Sequence, residues 1–134
     1  MRTTTAPILV TETNFRSTVK RGIVLLDFWA AWCGPCRAFA PVFEAAAARH
    51  PDVVFGKVDT EAEPGLAAAF QIQAIPTLMV LRDGVLLAAQ PGVIPAAAMD
   101  ELIEKVRALD MDEVRRSLDA DTPAVHESAE AEVL

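Results

Sequence analysis

A chain of 134 residues with 52% hydrophobic content is long enough to bury one core and too short for several domains of ordinary size. Its net charge of −7 is uneven: residues 1–109 hold 10 Lys and Arg against 11 Asp and Glu, residues 110–134 hold 2 against 8. A near-neutral body without a basic stripe argues against nucleic acid as a partner, and no apolar run approaches the ~20 residues that span a bilayer.

Ile8-Leu9-Val10 reads as a short first strand, and is too brief for a signal-peptide core of ~7–15 residues. The expected location is therefore cytoplasmic. Thr11 or Thr13 is placed to cap a short helix whose Phe15 and Val19 share a face. Ile23 to Ala30 is continuously apolar except for Asp27, the pattern of a central strand covered on both faces. A helix is expected from about Pro35, with Phe39, Val42, Phe43 and the Ala45–Ala48 run at helical spacing. Pro41 should kink it, and Pro51 ends it.

Val53 to Asp59 is a second buried-strand pattern, and Pro64 opens a short helix through Phe70 behind Glu61 and Glu63. Alternation of strands and helices to this point calls for parallel pairing and right-handed crossovers. The pattern then changes. Thr77–Leu81 and Val85–Ala89, joined by Asp83-Gly84, form a hairpin. Pro95 to Leu109 makes a final amphipathic helix with Met99, Leu102, Ile103 and Val106 on its apolar face. The fold class is α/β, a mixed sheet flanked by helices. Met111–Leu118 prolongs that helix or forms another, and Asp119–Leu134, small, acidic and with little to bury, is expected to be disordered.

The two cysteines, Cys33 and Cys36, stand two residues apart where the apolar run meets the helix. Thiols at that spacing close a small disulfide without a large backbone change. Gly34 relieves crowding in the turn, and Pro35 is tolerated in a first helical turn because its missing N–H is not needed there. Cys33 would sit at the helix N-terminus, where unpaired N–H groups and the dipole favour a thiolate, the nucleophile of disulfide exchange. The same spacing also fits a pair of buried structural thiols or half of a zinc site. Zinc usually takes four ligands, however, and His50 and His126 are not at ligand spacing, so no metal is expected.

Asp27 is costly to bury, and burial should raise its pKa; a structural Asp bonded to backbone is the alternative. Lys57 also lies inside a strand pattern, where a solvated edge lysine is the plainer reading. Trp29 reads as core. His50 precedes Pro51 in the last helical turn, where a cation suits the dipole, and is not placed as a catalytic base. A Cys–His hydrolase therefore drops out.

These residues carry a resemblance. Asp27-Phe28-Trp29-Ala30 followed by Trp32-Cys33-Gly34-Pro35-Cys36 is similar to the active-site signature of bacterial-type thioredoxins. Ile75-Pro76-Thr77, Asp83-Gly84 and Gly92 match further family positions in order and spacing. The match runs from about Ile8 to Leu109, making residues 1–109 a thioredoxin domain and 110–134 an acidic C-terminal extension. The resemblance implies a thioredoxin fold, three layers around a central mixed sheet, with no bound cofactor beyond a redox-active Cys33–Cys36 disulfide. It implies a general protein disulfide reductase, regenerated by an NADPH-dependent thioredoxin reductase that carries flavin. Cys33 would be the nucleophile, Cys36 the resolving thiol, and Gly34 and Pro35 the residues that tune their potential.

Asp27 would take the proton of Cys36, with Lys57 as the partner of that acid. The resemblance further implies a cis bond before Pro76, which sequence alone makes a minority expectation. Trp32, Ile75, Pro76 and Gly92 would then form a substrate platform that pairs with an extended segment by strand addition. The expected partners are the reductase and disulfide-containing proteins, with no nucleic acid, no membrane and a monomeric state. Two other classes fit the same residues: a binding module whose redox activity is incidental, and an oxidising, disulfide-forming relative. Gly34-Pro35 between the cysteines, rather than a His before the second, favours the reducing member.

The tail yields the first testable expectation. Truncation after Leu118 should leave the melting temperature and reductase activity within ordinary scatter. A stability loss above about 2 kcal/mol would show that the tail packs as structure.

Overall fold

In the computed structural model, which describes residues 6–119, the apolar runs of the sequence become the middle of one five-stranded sheet. Strands β1 (Ile8–Leu9), β2 (Ile23–Trp29), β3 (Val54–Asp59), β4 (Thr77–Arg82) and β5 (Val85–Pro91) lie in the order β1-β3-β2-β4-β5. β3 pairs parallel with β1 and β2, while β4 pairs antiparallel with β2 and β5. β2 is therefore central, and its register sets Asp27 opposite Lys57 on one side and Leu78 on the other. The helices are α1 (Phe15–Val19), α2 (Gly34–Arg49), α3 (Pro64–Ala69) and α4 (Ala96–Arg107), followed by a helical stretch over 111–119.

Side-chain alternation divides the interior into two cores. Leu25, Phe55, Leu78 and Val80 meet Phe39 and Phe43 of α2 and Met99, Ile103 and Val106 of α4. Leu26, Phe28, Val58, Met79 and Leu81 meet Val19 of α1 and Leu66 of α3 on the opposite face. Helices thus cover both faces, as the apolarity of β2 on both sides, Asp27 apart, requires. Phe43 and Phe55 stand edge to face at 5.1 Å across the first core, and each buried Phe side chain contributes roughly 1.5–3 kcal/mol.

Local chemistry fixes the element ends. Asp83 (φ 53°) and Gly84 (φ 82°) both adopt the left-handed conformation that a tight hairpin turn needs. The turn is tied to the start of β2, where the Gly22 N–H donates to Asp83 Oδ1 at 2.8 Å and the Asp83 N–H donates to Gly22 O at 2.9 Å. Asn14, rather than Thr11 or Thr13, holds the N-cap position of α1, without a side-chain cap bond. Thr11 and Asn14 instead bond each other, backbone N–H to side-chain oxygen in both directions, which occupies the Thr11 hydroxyl before the helix begins. α2 continues as one helix through Pro41. Arg82 reaches the end of α4, where Nη1 donates to the carbonyls of Val106 at 2.8 Å and Leu109 at 3.0 Å, satisfying acceptors the helix leaves open.

The stretch over 111–119 packs through buried Met111. Asp119, expected to open a disordered segment, ends this helical stretch instead, and the rest of that segment, 120–134, lies outside the described residues.

Gly56 has no turn to serve; it lies inside β3. A Cβ there would come within 2.5 Å of Val10 Cγ2 and 2.9 Å of Leu26 Cδ2, so the glycine lets two core side chains cross the strand. Gly56→Ala should destabilise the fold by about 1–3 kcal/mol through overpacking. A denaturant midpoint equal to that of the parent would contradict this account.

Candidate active site

The site grows from the end of β2. Four residues, Ala30 to Cys33, separate that strand from α2, and the Cys33 N–H closes the turn on Ala30 O at 3.2 Å. Cys33 is the N-cap of α2 in an extended conformation, and its Sγ accepts the Cys36 N–H at 3.2 Å. A sulfur thus takes the capping place usually held by a side-chain oxygen. Pro35 falls in the first turn, where no intrahelical N–H is required. Cys33 and Cys36 are joined in a disulfide, their Cα atoms 5.2 Å apart, within the range ordinary disulfides span. The bond is largely covered, Cys33 being 4% exposed and Cys36 2%.

A second segment faces the first. The Ile75–Pro76 bond is cis, and Ile75 O lies 3.8 Å from Cys33 Sγ. Ile75 packs with Trp29 against Ala30, Cys33 and Cys36. The Gly92 N–H donates to Pro76 O at 2.8 Å, and Gly92, at φ +92°, holds a conformation that favours glycine. Pro76 is buried, Ile75 half-buried and Gly92 exposed. Trp32, 67% exposed, stands beside Cys33 with its indole N–H donating to Glu61 Oε2 at 3.3 Å. Cys33, Ile75, Pro76 and Gly92 are thus brought together, with Trp32 on the rim.

Beneath the cysteines the sheet carries charge. Leu25 faces α2, so by alternation Asp27 and Trp29 face it too. Asp27 is fully buried, and neither carboxylate oxygen has a hydrogen-bond partner among the described residues. Burial raises its pKa from 3.8 to about 6, with the Lys57 ammonium pulling in the other direction. A structural Asp satisfied by backbone, the alternative read from sequence, is absent. Lys57 is half-buried, and its Nζ lies 4.6 Å from the centroid of the Trp29 ring. Trp29 is partly buried, but its indole N–H is enclosed and without a partner among the described residues.

Two residues of the neighbourhood carry no sequence signal strong enough to single them out. Arg37 Nη1 donates to Ala31 O at 2.9 Å and braces the junction loop; its place directly after the second cysteine was the available clue. Glu61, 29 residues from Trp32, meets it only through the fold. His50 lies at the opposite end of α2, about 24 Å away at 1.5 Å per residue, bonded to Asp100 at 2.7 Å and Arg107 at 3.2 Å. Among the described residues no three His, Cys, Asp or Glu side chains are grouped as a metal would need. No described helix is long and apolar enough to cross a membrane.

Comparison with known proteins agrees with this geometry. The family model described as Thioredoxin matches residues 6–107. A Streptomyces coelicolor protein assigned as thioredoxin 2 is 55% identical over 115 residues, covering 85% of this chain and 86% of that one. The thioredoxin of Staphylococcus saprophyticus is 40% identical over 101 residues, covering 75% of this chain and 97% of its own. Among solved structures, an asparagine-to-glutamine mutant of a Halobacterium salinarum thioredoxin superposes with a TM-score of 0.76 at 30% identity, covering 82% of this chain and 98% of the other. The five-stranded mixed sheet with helices on both faces is the thioredoxin fold, and a closed Cys33–Cys36 pair is the working group of a thiol–disulfide oxidoreductase. By sequence, fold and cysteine pair, the chain belongs to the thioredoxin family.

Proposed function

We propose that this protein is a general protein disulfide reductase of the cytoplasm, acting as a monomer and regenerated by an NADPH-dependent thioredoxin reductase. Residues 1–109 form the working domain in this reading, and 110–134 an appended extension. The observation that carries it is the position of Cys33, whose Sγ caps α2 beside the carbonyl of Ile75. In the dithiol form that N–H and the helix dipole favour a thiolate on Cys33 over one on Cys36.

The Cys33 thiolate attacks one sulfur of a substrate disulfide. That bond breaks, the substrate's other sulfur leaves as a thiolate, and a mixed disulfide forms. Cys36 gives its proton to Asp27 and attacks Cys33 Sγ, releasing the second substrate thiolate and closing the Cys33–Cys36 bond. Two electrons pass from the cysteine pair to the substrate. Lys57 holds positive charge near Asp27 as the carboxylate changes state. Trp32, Ile75, Pro76 and Gly92 present an apolar rim with exposed backbone for an extended substrate segment. Gly34 and Pro35 set the potential by fixing the turn between the sulfurs.

Cys36→Ser should trap substrate proteins as mixed disulfides on Cys33, whereas Cys33→Ser should trap none. Equal trapping by the two variants would remove the assignment of the nucleophile. Loss of NADPH-coupled insulin reduction in Cys33→Ser, with full activity in the parent, tests the reductase reading itself.

Asp27 gives a pH-dependent expectation. Its folded pKa of about 6 exceeds the ordinary carboxyl value of 3.8, so between those values the folded protein holds a proton that the unfolded chain releases. Stability from this group is therefore full below the lower value and lost as pH rises through about 6, in total roughly 3 kcal/mol. Asp27→Asn should accordingly be the more stable protein at pH 7, by a denaturant midpoint. Resolution of the mixed disulfide should slow in the same variant while the first attack is spared. A less stable Asp27→Asn with unchanged resolution would leave Asp27 a structural residue.

A further inference from the structure

Lys57 is the cation that β3 sets opposite Asp27, through the parallel register of β2 and β3. From β4 the register sets the uncharged Leu78 opposite Asp27, and the disulfide-bonded Cys33 and Cys36 at the start of α2 carry no charge. A carboxylate and an ammonium so placed would ordinarily close into an ion pair. Here, among the described residues, Lys57 makes no ion pair, both Asp27 oxygens are without partners, and the ammonium lies over the Trp29 ring. At 4.6 Å from the centroid it is well inside cation–π range, and tryptophan offers the strongest ring face for such a contact.

Trp29 is also an odd choice if only bulk is wanted. Its N–H is enclosed without a partner, a penalty that phenylalanine would avoid. The position therefore uses the ring face. It also packs against the cluster of Ala30, Cys33 and Cys36, so the same indole meets the sulfurs' cluster and the ammonium.

We propose that Trp29 is a positioning residue for the exchange reaction: its ring holds the Lys57 ammonium off Asp27, leaving the carboxyl unpaired and free to take and return the Cys36 proton. This rests on the reading of Asp27 as proton acceptor. Without the ring, Lys57 reaches Asp27 and locks it as a carboxylate, which favours the acceptor's charged state and weakens its hold on the proton.

The test is the titration of Asp27, followed by carboxyl 13C NMR in the reduced protein. The variants are Trp29→Phe, Trp29→Leu and Lys57→Met, with each Trp29 change repeated in the Lys57→Met chain. Trp29→Leu should lower the proton affinity of Asp27 about tenfold and Trp29→Phe by less, each pH unit being tenfold. In the Lys57→Met background the same substitutions should change it by less than about twofold, because no ammonium remains to move.

A plain packing role would admit water and shift Asp27 equally with or without Lys57. That outcome, or no shift at all, overturns the proposal. Should Trp29→Leu not fold, a Trp32→Phe chain grown on tetrafluorotryptophan keeps the shape at position 29 and drains the ring of negative charge. Asp27 should again titrate lower, and an unmoved midpoint counts against the ring. The two readings separate cleanly: unchanged mixed-disulfide resolution in Asp27→Asn removes the proton acceptor, whereas a Trp29 effect that survives Lys57→Met removes only the role of the ring.

Discussion

The short junction between β2 and α2 is the constraint from which the site follows. Four residues must turn a strand lying inside the sheet into a helix lying across it, so the first helical turn begins where the strand ends. A helix start exposes N–H groups that need acceptors, and here the acceptor is Cys33 Sγ. The same contact that caps the helix therefore sets the electrostatics of one sulfur and not the other. Cys36, one turn in, supplies the donor and remains buried. Cysteine is a weaker acceptor than serine or aspartate, so a helix begun this way gives up some capping strength in exchange for a polarised sulfur.

The sheet then brings up the rest from two directions. β3 runs parallel to β2 and delivers Lys57 beside Asp27. β4 runs antiparallel and delivers its preceding residues, Ile75 and Pro76, to the end of the sheet where β2 and β3 finish. A wholly parallel sheet would put the start of β4 at the far edge, away from the cysteines. The switch of direction at β4 is thus what places a backbone carbonyl 3.8 Å from Cys33 Sγ. Ligand sites in open α/β sheets gather where strand order reverses, and this molecule places its cysteines at the corresponding point between β3 and β4.

Most of this was legible in the residues, for reasons that also explain what was not. The β2 pattern, the Asp83-Gly84 turn and the cysteine spacing are local signals, carried by a few adjacent side chains, and each lies where expected. The α1 cap was misplaced because Thr11 and Asn14 satisfy each other, a choice between two short-range bonds that sequence does not order. Glu61 on Trp32 and Lys57 over Trp29 were out of reach for a different reason. Each joins residues about 28 positions apart, and each depends on side-chain direction rather than on which strand pairs with which. Trp29 shows the limit plainly: its apolarity announced a core residue, but only the structure sets an ammonium on its face and leaves its N–H without an acceptor.

Such a site is expensive to maintain, and its location follows from that. An unpartnered carboxyl, an unpartnered indole N–H and a helix capped by sulfur all sit at one end of the sheet. Burial that raises the pKa of the carboxyl sets it against the fold at neutral pH, where only ~5–15 kcal/mol holds a domain together. The offset lies elsewhere along the same elements. Phe39 and Phe43 on α2, and Leu25, Leu26 and Phe28 on β2, are fully buried in cores on either face of the sheet. β2 and α2 therefore both anchor the two cores and carry the site's costly groups. At the sheet edge water would solvate the carboxyl; at the centre, flanked by β3 and β4 and covered by helices above and below, it is kept dry, and that burial is what raises its pKa.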